Sequence, residues 1–313
     1  MNNYSSAASA ALRARARVGL AGATGYAGQQ LRRLLARHAH VEVVAALDSS
    51  SAVEVMIAAR PDLVFLATPA EVSAAWAPAL RASCPDLRLV DLSPAFRFDA
   101  DWVYGWPERN GASIRAAACV ANPGCYATAA NLALGPLLEA GAIAAEEIVC
   151  DAKSGASGAG RTLRADLQFC ELAGNCKPYD AYVHRHAPEI ARQTGLDASS
   201  FAFVPHLLPT DRGILATMYV RCRPGADFAA GFAAAYAGHP FVRVRGRVGG
   251  DDAMPQLRDV VHTNYCDLGW TVRADGKQAV VVSCLDNLIK GAAGQALQNA
   301  NLMMGWSETE GLA

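Results

Sequence analysis

Cys125 stands directly after the turn Asn122-Pro123-Gly124, and an apolar run that favours a helix follows it. A thiol in the first turn of a helix lies where unpaired backbone N–H groups and the helix dipole favour negative charge. We therefore predict that the pKa of Cys125 is lowered and that its thiolate is a nucleophile near neutral pH. A small buried apolar residue, the usual role of a free cysteine, is the alternative that position alone leaves open.

A loop with the composition of an anion site follows further along the chain. The segment KSGASGAGR supplies Lys153, Ser154, Ser157 and Arg161, with glycines between them. Backbone N–H groups, hydroxyls and two cations can together hold a phosphate, although a plain surface loop is the structural alternative. A thiol combined with such a loop suggests a reaction in which phosphate is the leaving group.

A third group of reactive residues lies in the segment HRHAPE, which contains His184, Arg185, His186 and Glu189. Two histidines could ligate a metal, but no third ligand follows nearby, so we expect no metal site. A histidine oriented by Glu189 could instead transfer protons beside the thiol, and a surface histidine cluster is the alternative. His206 lies at the end of a strand-like segment and could bind substrate or close a turn.

The segment VGLAGATGYAG, residues 18–28, has a glycine at every third position and precedes a helix-forming run. A strand, a glycine turn and a helix form the context of a dinucleotide fingerprint, because glycines let backbone N–H groups approach a pyrophosphate. The spacing is G-x-x-G-x-x-G, so an ordinary tight turn stays possible at this point.

The first half of the chain alternates apolar strands with helices, which predicts a parallel sheet with ligands beyond the carboxyl ends of its strands. Thr68, Pro69, Ser93 and Asn122 all lie at such ends. Beyond about residue 145 the strand-like segments alternate apolar and polar residues, which is typical of a mostly antiparallel sheet. The segment 286–305 predicts a helix that packs back on the first domain.

The predicted fold class is therefore α/β, with a doubly wound Rossmann-like dinucleotide-binding domain and an α+β domain for catalysis and oligomerisation. The predicted divisions are a flexible tail at 1–16, the dinucleotide-binding domain at 17–124 and 287–313, and the catalytic and oligomerisation domain at 125–286.

Composition narrows the class of partner. The 313 residues are 52% hydrophobic and 18% charged, with a net charge of -1, so neither nucleic acid nor a membrane surface is an expected partner. No apolar run is long enough to cross a bilayer and no secretory h-region opens the chain, so we expect a cytoplasmic protein. An organellar targeting role of the N-terminal tail is the alternative. Nine cysteines without a C-x-x-C pair argue against a disulfide framework.

Eight segments in order resemble the semialdehyde dehydrogenase superfamily, and within it the N-acetyl-γ-glutamyl-phosphate reductase family of arginine biosynthesis. They are GATGYAG, DLSPAFR, ANPGCYATA, DAKSGASGAGR, HRHAPEI, VPHLLPTDRGILATMY, NYCDLG and DNLIKGAAGQALQNANLMMG. Aspartate-semialdehyde dehydrogenases share the architecture but differ around the cysteine and the histidines. Two segments, LDSSSAVEVM and FRFDADWVYGWPE, are shorter than is usual in the family, so adenosine and substrate contacts could differ.

The resemblance implies NADPH-dependent reduction of an acyl phosphate to an aldehyde, with Cys125 forming a thioester. It implies that His186, with Glu189 behind it, transfers the proton, and that Lys153, Arg161 and Arg97 hold the phosphate. The alternatives are a related reductase of another acyl phosphate, such as an aminoadipyl or aspartyl phosphate, and a non-catalytic dinucleotide-binding redox sensor. The expected partners are a small-molecule substrate and further copies of the chain, as a homodimer or a homotetramer.

Two features of the sequence point to different cofactors. Asp48 lies where an acidic residue would bind a ribose 2′-hydroxyl and repel a 2′-phosphate, which points to NAD(H). Ser49, Ser50 and Ser51 could instead cradle that phosphate, and the resemblance favours NADP(H). It also implies that Asn287 holds the nicotinamide carboxamide.

The predicted sites contain further residues. The residues predicted to bind substrate or phosphate are Ser93, Arg97, Asn122, Lys153, Ser154, Arg161, His184, Arg185 and His206. The residues predicted to bind the cofactor are Gly22, Thr24, Gly25, Tyr26, Gly28, Asp48, Ser49, Ser50, Thr68, Pro69, Ser157, Gly158 and Asn287.

Overall fold

The structure is a computed structural model that describes residues 15–48, 50–247 and 254–312. The predicted tail lies outside the described residues except for its last two positions, and the predicted cofactor role of Ser49 also falls outside them. No helix of the described ranges is both long enough and apolar enough to span a membrane.

Six strands of the described chain form a sheet in the order β2-β1-β3-β4-β6-β5, with parallel pairing throughout. The strands are β1 Ala16–Ala21, β2 Val41–Leu47, β3 Leu63–Leu66, β4 Arg88–Asp91, β5 Val103–Tyr104 and β6 Cys119–Ala121. The helices between them are α1 Tyr26–Leu35, α2 Val53–Ala58, α3 Ala70–Ser83 and α4 Pro107–Ala116. The predicted doubly wound parallel sheet is confirmed.

Helices cover both faces of this first sheet. Phe65 of β3 packs in a core that includes α1 residues, whereas its neighbours Val64 and Leu66 pack in a second core with Met56 and Trp76 from α2 and α3. Successive strand residues point to opposite faces, so a strand buried on both sides must be apolar at every position. This is why the segment LVFL contains no polar residue.

Seven described strands form the second sheet, in the order β11-β12-β13-β10-β7-β9-β8. They are β7 Ile148–Gly155, β8 Lys177–Pro178, β9 Phe201–Leu208, β10 Ile214–Arg221, β11 Val242–Arg247, β12 Cys266–Val272 and β13 Gln278–Leu285. The helices of this half are α5 Cys125–Glu139, α6 Phe169–Leu172, α7 His186–Thr194 and α8 Phe228–Tyr236. Within the described strands only the pairs β7–β9 and β11–β12 are parallel, which confirms a mostly antiparallel sheet.

Helix α5 carries Cys125 at its first residue and joins the two halves of the molecule. The turn 122–124 leads into it directly from β6 of the first sheet. Every residue from Tyr126 to Leu137 is buried, as expected for a helix that is apolar on all sides. The amino end of α5 therefore lies where the first sheet, the second sheet and their connecting segments meet.

The chain returns to the first sheet after β13. A π-helical turn, Ile289–Ala293, precedes helix α9, Gly294–Met304. Ala296, Leu297 and Ala300 of α9 pack in one core with Val18 and Leu20 of β1. The prediction that the segment 286–305 packs back on the first sheet is confirmed.

A buried ion pair between Lys290 and Glu108 connects this returning segment to α4. Lys290 Nζ lies 2.7 Å from Glu108 Oε1 and 2.8 Å from Gln298 Oε1, and the Lys290 and Glu108 side chains are 0% and 1% exposed. A buried charge that loses its partner remains unsolvated, so such a pair is costly to break.

We expect Glu108→Gln to lower the free energy of unfolding by about 3 to 5 kcal/mol, because Lys290 would keep its buried charge without a counter-ion. Urea denaturation followed by circular dichroism measures this. The matched control is Glu139→Gln, which removes an exposed pair with Arg109 and should cost less than about 1 kcal/mol. Equal losses in the two variants would contradict the assignment.

Candidate active site

Cys125 is the first residue of α5 and is partly exposed. It opens into a cavity of about 490 Å³ that is also lined by Ser154, His184, Arg185 and His186. The π-helical turn closes the other side, since a Cβ at Gly291 would lie 2.7 Å from the Cys125 Cβ. Glycine at position 291 therefore gives the nucleophile's side chain its space.

The predicted low pKa of Cys125 is not what the structure supports. Burial raises the pKa of the thiol above its ordinary value, while Arg185, Arg97 and the backbone N–H of Tyr126 oppose this and Glu189 adds to it. The sequence argument considered only the helix terminus and omitted the loss of water around the sulfur. In the free protein the group is therefore a thiol that needs a base.

His186 is the candidate for such a base, because it lies beside the turn that precedes Cys125. A Cβ at Gly124 would collide with His186 Nε2, so the imidazole lies directly against the turn that precedes Cys125. Gly124 has an ordinary φ of -69°, so the ring's approach, rather than an unusual backbone angle, requires glycine there. Burial lowers the pKa of His186 well below its usual value, aided by Arg97. The ring is neutral, and its buried Nδ1 has no hydrogen-bond partner within the described chain.

His184 lies next to His186 and is also neutral. Its Nδ1 accepts the backbone N–H of His186 at 3.1 Å, which leaves the ring proton on Nε2. Burial and the neighbouring Arg185 lower the pKa of His184 to about 4. Tyr126 and Phe203 pack against the ring and fix its plane.

Glu189 does not orient His186, contrary to the prediction. Its Oε1 accepts the Tyr104 hydroxyl at 2.7 Å and the Gly124 N–H at 2.9 Å, and its Oε2 pairs with Arg97 Nη1 at 2.9 Å. The carboxylate is 1% exposed. Glu189 therefore holds the turn before the nucleophile rather than the ring beside it.

Arg97 is committed to the same network and is not placed to bind phosphate as predicted. Its Nε donates to the Asn122 carbonyl and its Nη2 to the Leu92 carbonyl, each at 3.1 Å. With Nη1 on Glu189 and only 6% of the side chain exposed, the guanidinium is used in positioning the turn.

Lys153 and His206 do not reach the cavity that contains Cys125. Alternate residues of a strand point to opposite faces, and Ser154 of β7 takes the side that faces α5. Lys153 lies on the other face, where its Nζ is 2.6 Å from Asp151 Oδ2. The same carboxylate has its Oδ1 3.1 Å from His206 Nδ1. Both predicted substrate contacts are therefore on the wrong side of the sheet.

Asn122 and Ser93 are structural rather than substrate-facing. The Asn122 amide is fully buried, where it donates to the Ala292 carbonyl and accepts from Asn299 Nδ2. The Ser93 hydroxyl donates to Asp91 Oδ2 at 2.7 Å and is also buried. Their position at strand ends gave no information on whether these side chains are exposed.

The cations that do line the cavity with Cys125 include two residues that the sequence analysis missed. Arg164 and Lys177 lie there together with Arg185, which was predicted. Arg164 and Lys177 share one counter-ion, Asp166. Their segment shows no regular pattern and no motif, so only the fold brings them to Cys125. Tyr126 and Tyr179, whose hydroxyls are 3.2 Å apart, line the same cavity and were also missed.

The glycine turn after β1 has the form that a dinucleotide needs. Gly22 has a φ of +80°, and a Cβ there would collide with the Ala67 carbonyl at the end of β3. A Cβ at Gly28 would collide with the Gly22 carbonyl, so helix α1 packs closely on the turn. Gly25 precedes the first helical residue, Tyr26, and provides no side-chain cap, so the first N–H groups of α1 have no partner within the helix.

The other predicted cofactor residues lie in two places. Thr68 and Pro69 follow β3 beside Gly22, and the Thr68 hydroxyl bonds Ser73. Asn287 connects two loops, because its Oδ1 accepts the Gly213 N–H and its Nδ2 donates to the Ser157 hydroxyl. Gly158, next along that loop, lines the cavity with Cys125.

Arg161 is separate from that cavity. Its guanidinium donates to the Thr24 carbonyl at 2.9 Å, beside a second cavity that Arg32 and Arg33 also line. Arg161 is therefore next to the glycine turn instead of the thiol. Within the described residues no group of three histidine, cysteine, aspartate or glutamate side chains could hold a metal ion.

The chain matches two family profiles. "Semialdehyde dehydrogenase, NAD binding domain" matches residues 17–61 and 53–117, and "Semialdehyde dehydrogenase, dimerisation domain" matches residues 125–287. The chain is 40% identical to the N-acetyl-gamma-glutamyl-phosphate reductase of Geobacillus stearothermophilus, over 94% of this chain and 97% of that protein. It is 42% identical to the reductase of the same name from Salinispora tropica, over 95% and 97%.

Solved structures with the same fold are more distant in sequence. Aspartate semialdehyde dehydrogenase II of Vibrio cholerae, complexed with ASA, has a TM-score of 0.76 at 20% identity, covering 93% of this chain and 98% of that one. Aspartate semialdehyde dehydrogenase with NADP from Candida albicans has a TM-score of 0.68 at 17% identity, covering 93% and 99%.

We expect alkylation of Cys125 by iodoacetamide to accelerate with rising pH through and beyond the ordinary thiol pKa of 9.0, because burial raises the pKa of this group. Arg185→Ala should slow the reaction several-fold at pH 8, since Arg185 opposes that rise. Mass spectrometry of the tryptic peptide gives the rate. Arg192→Ala is the control, because that guanidinium lies over Phe98 instead. An alkylation rate that is already at its plateau at pH 7 would show that the pKa of Cys125 is low, as the sequence suggested.

Proposed function

Because this chain belongs to the N-acetyl-γ-glutamyl-phosphate reductases of the semialdehyde dehydrogenase family, we propose that it reduces N-acetyl-γ-glutamyl phosphate with NADPH. The products are N-acetylglutamate 5-semialdehyde and inorganic phosphate, in arginine biosynthesis. The observation that carries the proposal is the cavity shared by Cys125, two neutral histidines and three cationic side chains. A thiol, a base and cations are what cleavage of an acyl phosphate requires.

The first half of the reaction is acyl transfer to Cys125. The sulfur attacks the acyl carbon, the bond from that carbon to the phosphate oxygen breaks, and a thioester forms. His186 accepts the thiol proton as the bond forms and passes it to the departing phosphate. A neutral imidazole beside the sulfur removes the need for a thiolate in the free enzyme, as in other base-activated nucleophiles.

The second half reduces the thioester. When bound, NADPH supplies the hydride for this half. Cys125 keeps the acyl group covalently attached throughout, and the oxygen of the resulting thiohemiacetal takes a proton that a histidine of the pair 184/186 relays from solvent. The carbon–sulfur bond then breaks to release the aldehyde, and the proton that leaves the thiohemiacetal hydroxyl restores the Cys125 thiol.

The chain's own residues fit the dinucleotide. The turn from Gly22 to Gly28, with Thr24, Gly25 and Tyr26 at the open helix end, would take the pyrophosphate, because glycines are required where the turn packs most closely. Gly158 lines the cavity with Cys125, and the hydrogen-bonded pair of Ser157 and Asn287 lies next to it, so these three residues would contact the nicotinamide half. The solved relative with NADP supports this cofactor.

The phosphate contacts differ from those expected from sequence. We assign the leaving phosphate to Arg185, with Arg164 and Lys177 lining the same cavity. Charge-assisted hydrogen bonds to a group that gains negative charge contribute most when their donors are already in place. Lys153 and Arg97 have no such part in this assignment.

The second sheet has a face that we propose as the surface for self-association. Helices α5, α7 and α8 cover one face, while the other exposes Tyr219 at 47% and is lined by Val149 and Val280. The profile match to a dimerisation domain supports a homodimer or homotetramer through this face. We also propose the domain division 17–124 plus 287–313 and 125–286, and a cytoplasmic location, since the cysteines of the described residues are all unpaired.

We expect Cys125→Ser to reduce the phosphate-dependent, NADP-linked oxidation of N-acetylglutamate semialdehyde by at least about a thousandfold, because the covalent route is lost. Absorbance of NADPH at 340 nm measures the reaction, and circular dichroism confirms the fold. Cys222→Ser, at a partly exposed cysteine away from the cavity, is the control and should keep full activity. Substantial activity in the Cys125 variant would exclude the thioester mechanism.

Two variants distinguish the phosphate site that we assign from the structure from the one that the sequence suggested. We expect Arg185→Ala to raise KM for inorganic phosphate by about ten- to a hundredfold, the effect of losing one charge-assisted hydrogen bond. Lys153→Ala should leave this constant within about twofold, because its ammonium group lies across the sheet, on Asp151. Steady-state kinetics at varied phosphate decides between them, and the reverse order would contradict the assignment.

A further inference from the structure

The π-helical turn Ile289–Ala293 packs directly on the nucleophile. A Cβ at Gly291 would lie 2.7 Å from the Cys125 Cβ and 3.2 Å from the Cys125 Cα, so the two backbones are in close contact. The N–H of Gly291 bonds the carbonyl of Asp286, five residues earlier, at 2.9 Å. Such π turns are rare and are frequent at functional sites. A small movement of Gly291 would therefore change the space around the sulfur.

Lys290 precedes Gly291 in this turn, and its side chain extends toward α4 and α9. Its Nζ donates to Glu108 Oε1 on α4 at 2.7 Å and to Gln298 Oε1 on α9 at 2.8 Å. The side chain is completely buried and does not line the cavity that contains Cys125. Lys290 can therefore act on the thiol through the position of the turn and not through contact.

Other side chains hold the two ends of the turn. Asp286 Oδ1 accepts the N–H groups of the two residues before Lys290 at 2.8 and 3.1 Å. Asn122 Nδ2 donates to the Ala292 carbonyl at 3.2 Å. Lys290 is bonded between these two points, at the residue next to Gly291. A buried ammonium cannot exchange its partners for water, so its ion pair restrains the middle of the turn.

We propose that Lys290 and Glu108 are positioning residues for the nucleophile, because their ion pair holds Gly291 against Cys125 and so limits the water that reaches the sulfur. The proposal rests on the proposed function for the reaction that the thiol performs, but the reactivity of the thiol can be measured without that reaction. Burial raises the pKa of Cys125, so a turn that moves away should admit water and lower this pKa. The same movement should misplace the sulfur relative to His186, and a shift of about 1 Å can reduce a rate about a hundredfold.

The double variant Glu108→Leu/Lys290→Met removes the pair without leaving a buried charge alone. Apolar residues of similar volume are often tolerated in place of a buried ion pair. Gln298 keeps its other partners in this variant, since its Oε1 also accepts Asn264 Nδ2 at 3.1 Å and its Nε2 donates to Glu308 Oε1 at 2.7 Å. Apolar contacts have no direction, so the turn should be held less firmly.

Alkylation of Cys125 by iodoacetamide, followed by mass spectrometry of its peptide at several pH values, is the decisive measurement. We expect the double variant to react about two- to fivefold faster at pH 7, because its pH profile moves to lower pH. The kcat for the phosphate-dependent oxidation of N-acetylglutamate semialdehyde should fall at least about tenfold. The KM for inorganic phosphate should stay within about twofold, because Arg185 is unchanged.

A second variant and a control accompany the double variant, and circular dichroism checks that each is folded. Glu108→Asp keeps both charges but shortens the acid by one methylene, so it should accelerate alkylation in the same direction by a smaller factor. Asp267→Asn is the control, because this carboxylate is also completely buried and pairs with Arg243 and Arg245 of the second sheet. It should lower stability and keep the native alkylation profile and kcat.

A native alkylation profile in the folded pair variants would overturn the proposal. An equal change of the profile in Asp267→Asn would also overturn it, because the change would then follow from lower stability alone. A shifted profile in the pair variants, combined with a native chain that does not reduce N-acetyl-γ-glutamyl phosphate, would refute the proposed function and leave the positioning role intact.

Discussion

The carboxylate of Glu189 is the interaction on which the rest of the site depends. It is almost completely buried and is bonded by Arg97, Tyr104 and the Gly124 N–H, which come from the loop after β4, from β5 and from the turn before α5. A buried charge is tolerated only when donors surround it, so each of these segments is fixed by the need to satisfy it. One acidic group on α7 thereby sets the position of the nucleophile's turn relative to the first sheet. The residues proposed for the chemistry are therefore held in place by residues outside the proposed mechanism.

Much of the fold could be predicted from the sequence, because its strands are buried on both faces and its helices are strongly patterned. The parallel first sheet and the helix within 286–305 that packs on it were both predicted. Other elements could not be found in this way. The two-residue strands Val103–Tyr104 and Lys177–Pro178 are too short for any period to show, and helix α4 begins at a proline without a side-chain cap. These elements are defined by tertiary packing, which local pattern does not record.

The identities of the reactive residues were predictable, but the directions in which their side chains point were not. Cys125, His184, Arg185 and His186 share one cavity as the motifs suggested. Lys153 lies one residue from Ser154, yet the alternation of a strand sends them to opposite faces, and sequence could not say which faces the thiol. The pKa of the thiol likewise depends on how many protein atoms surround the sulfur, a property of the assembled molecule.

The close packing of Gly291 on Cys125 has a consequence for the order in which the protein acquires its chemistry. Apart from the open cavity, the Cys125 side chain is surrounded by its own helix, by a ring from α7 and by the turn Ile289–Ala293, which comes much later in the sequence. A ribosome delivers that turn long after the cysteine has left the exit tunnel, since synthesis proceeds from the amino end. A partly synthesised chain that lacks this turn therefore carries Cys125 in a site that is open on one side. A chain that stops before Gly291 therefore contains Cys125 without the turn that packs on it.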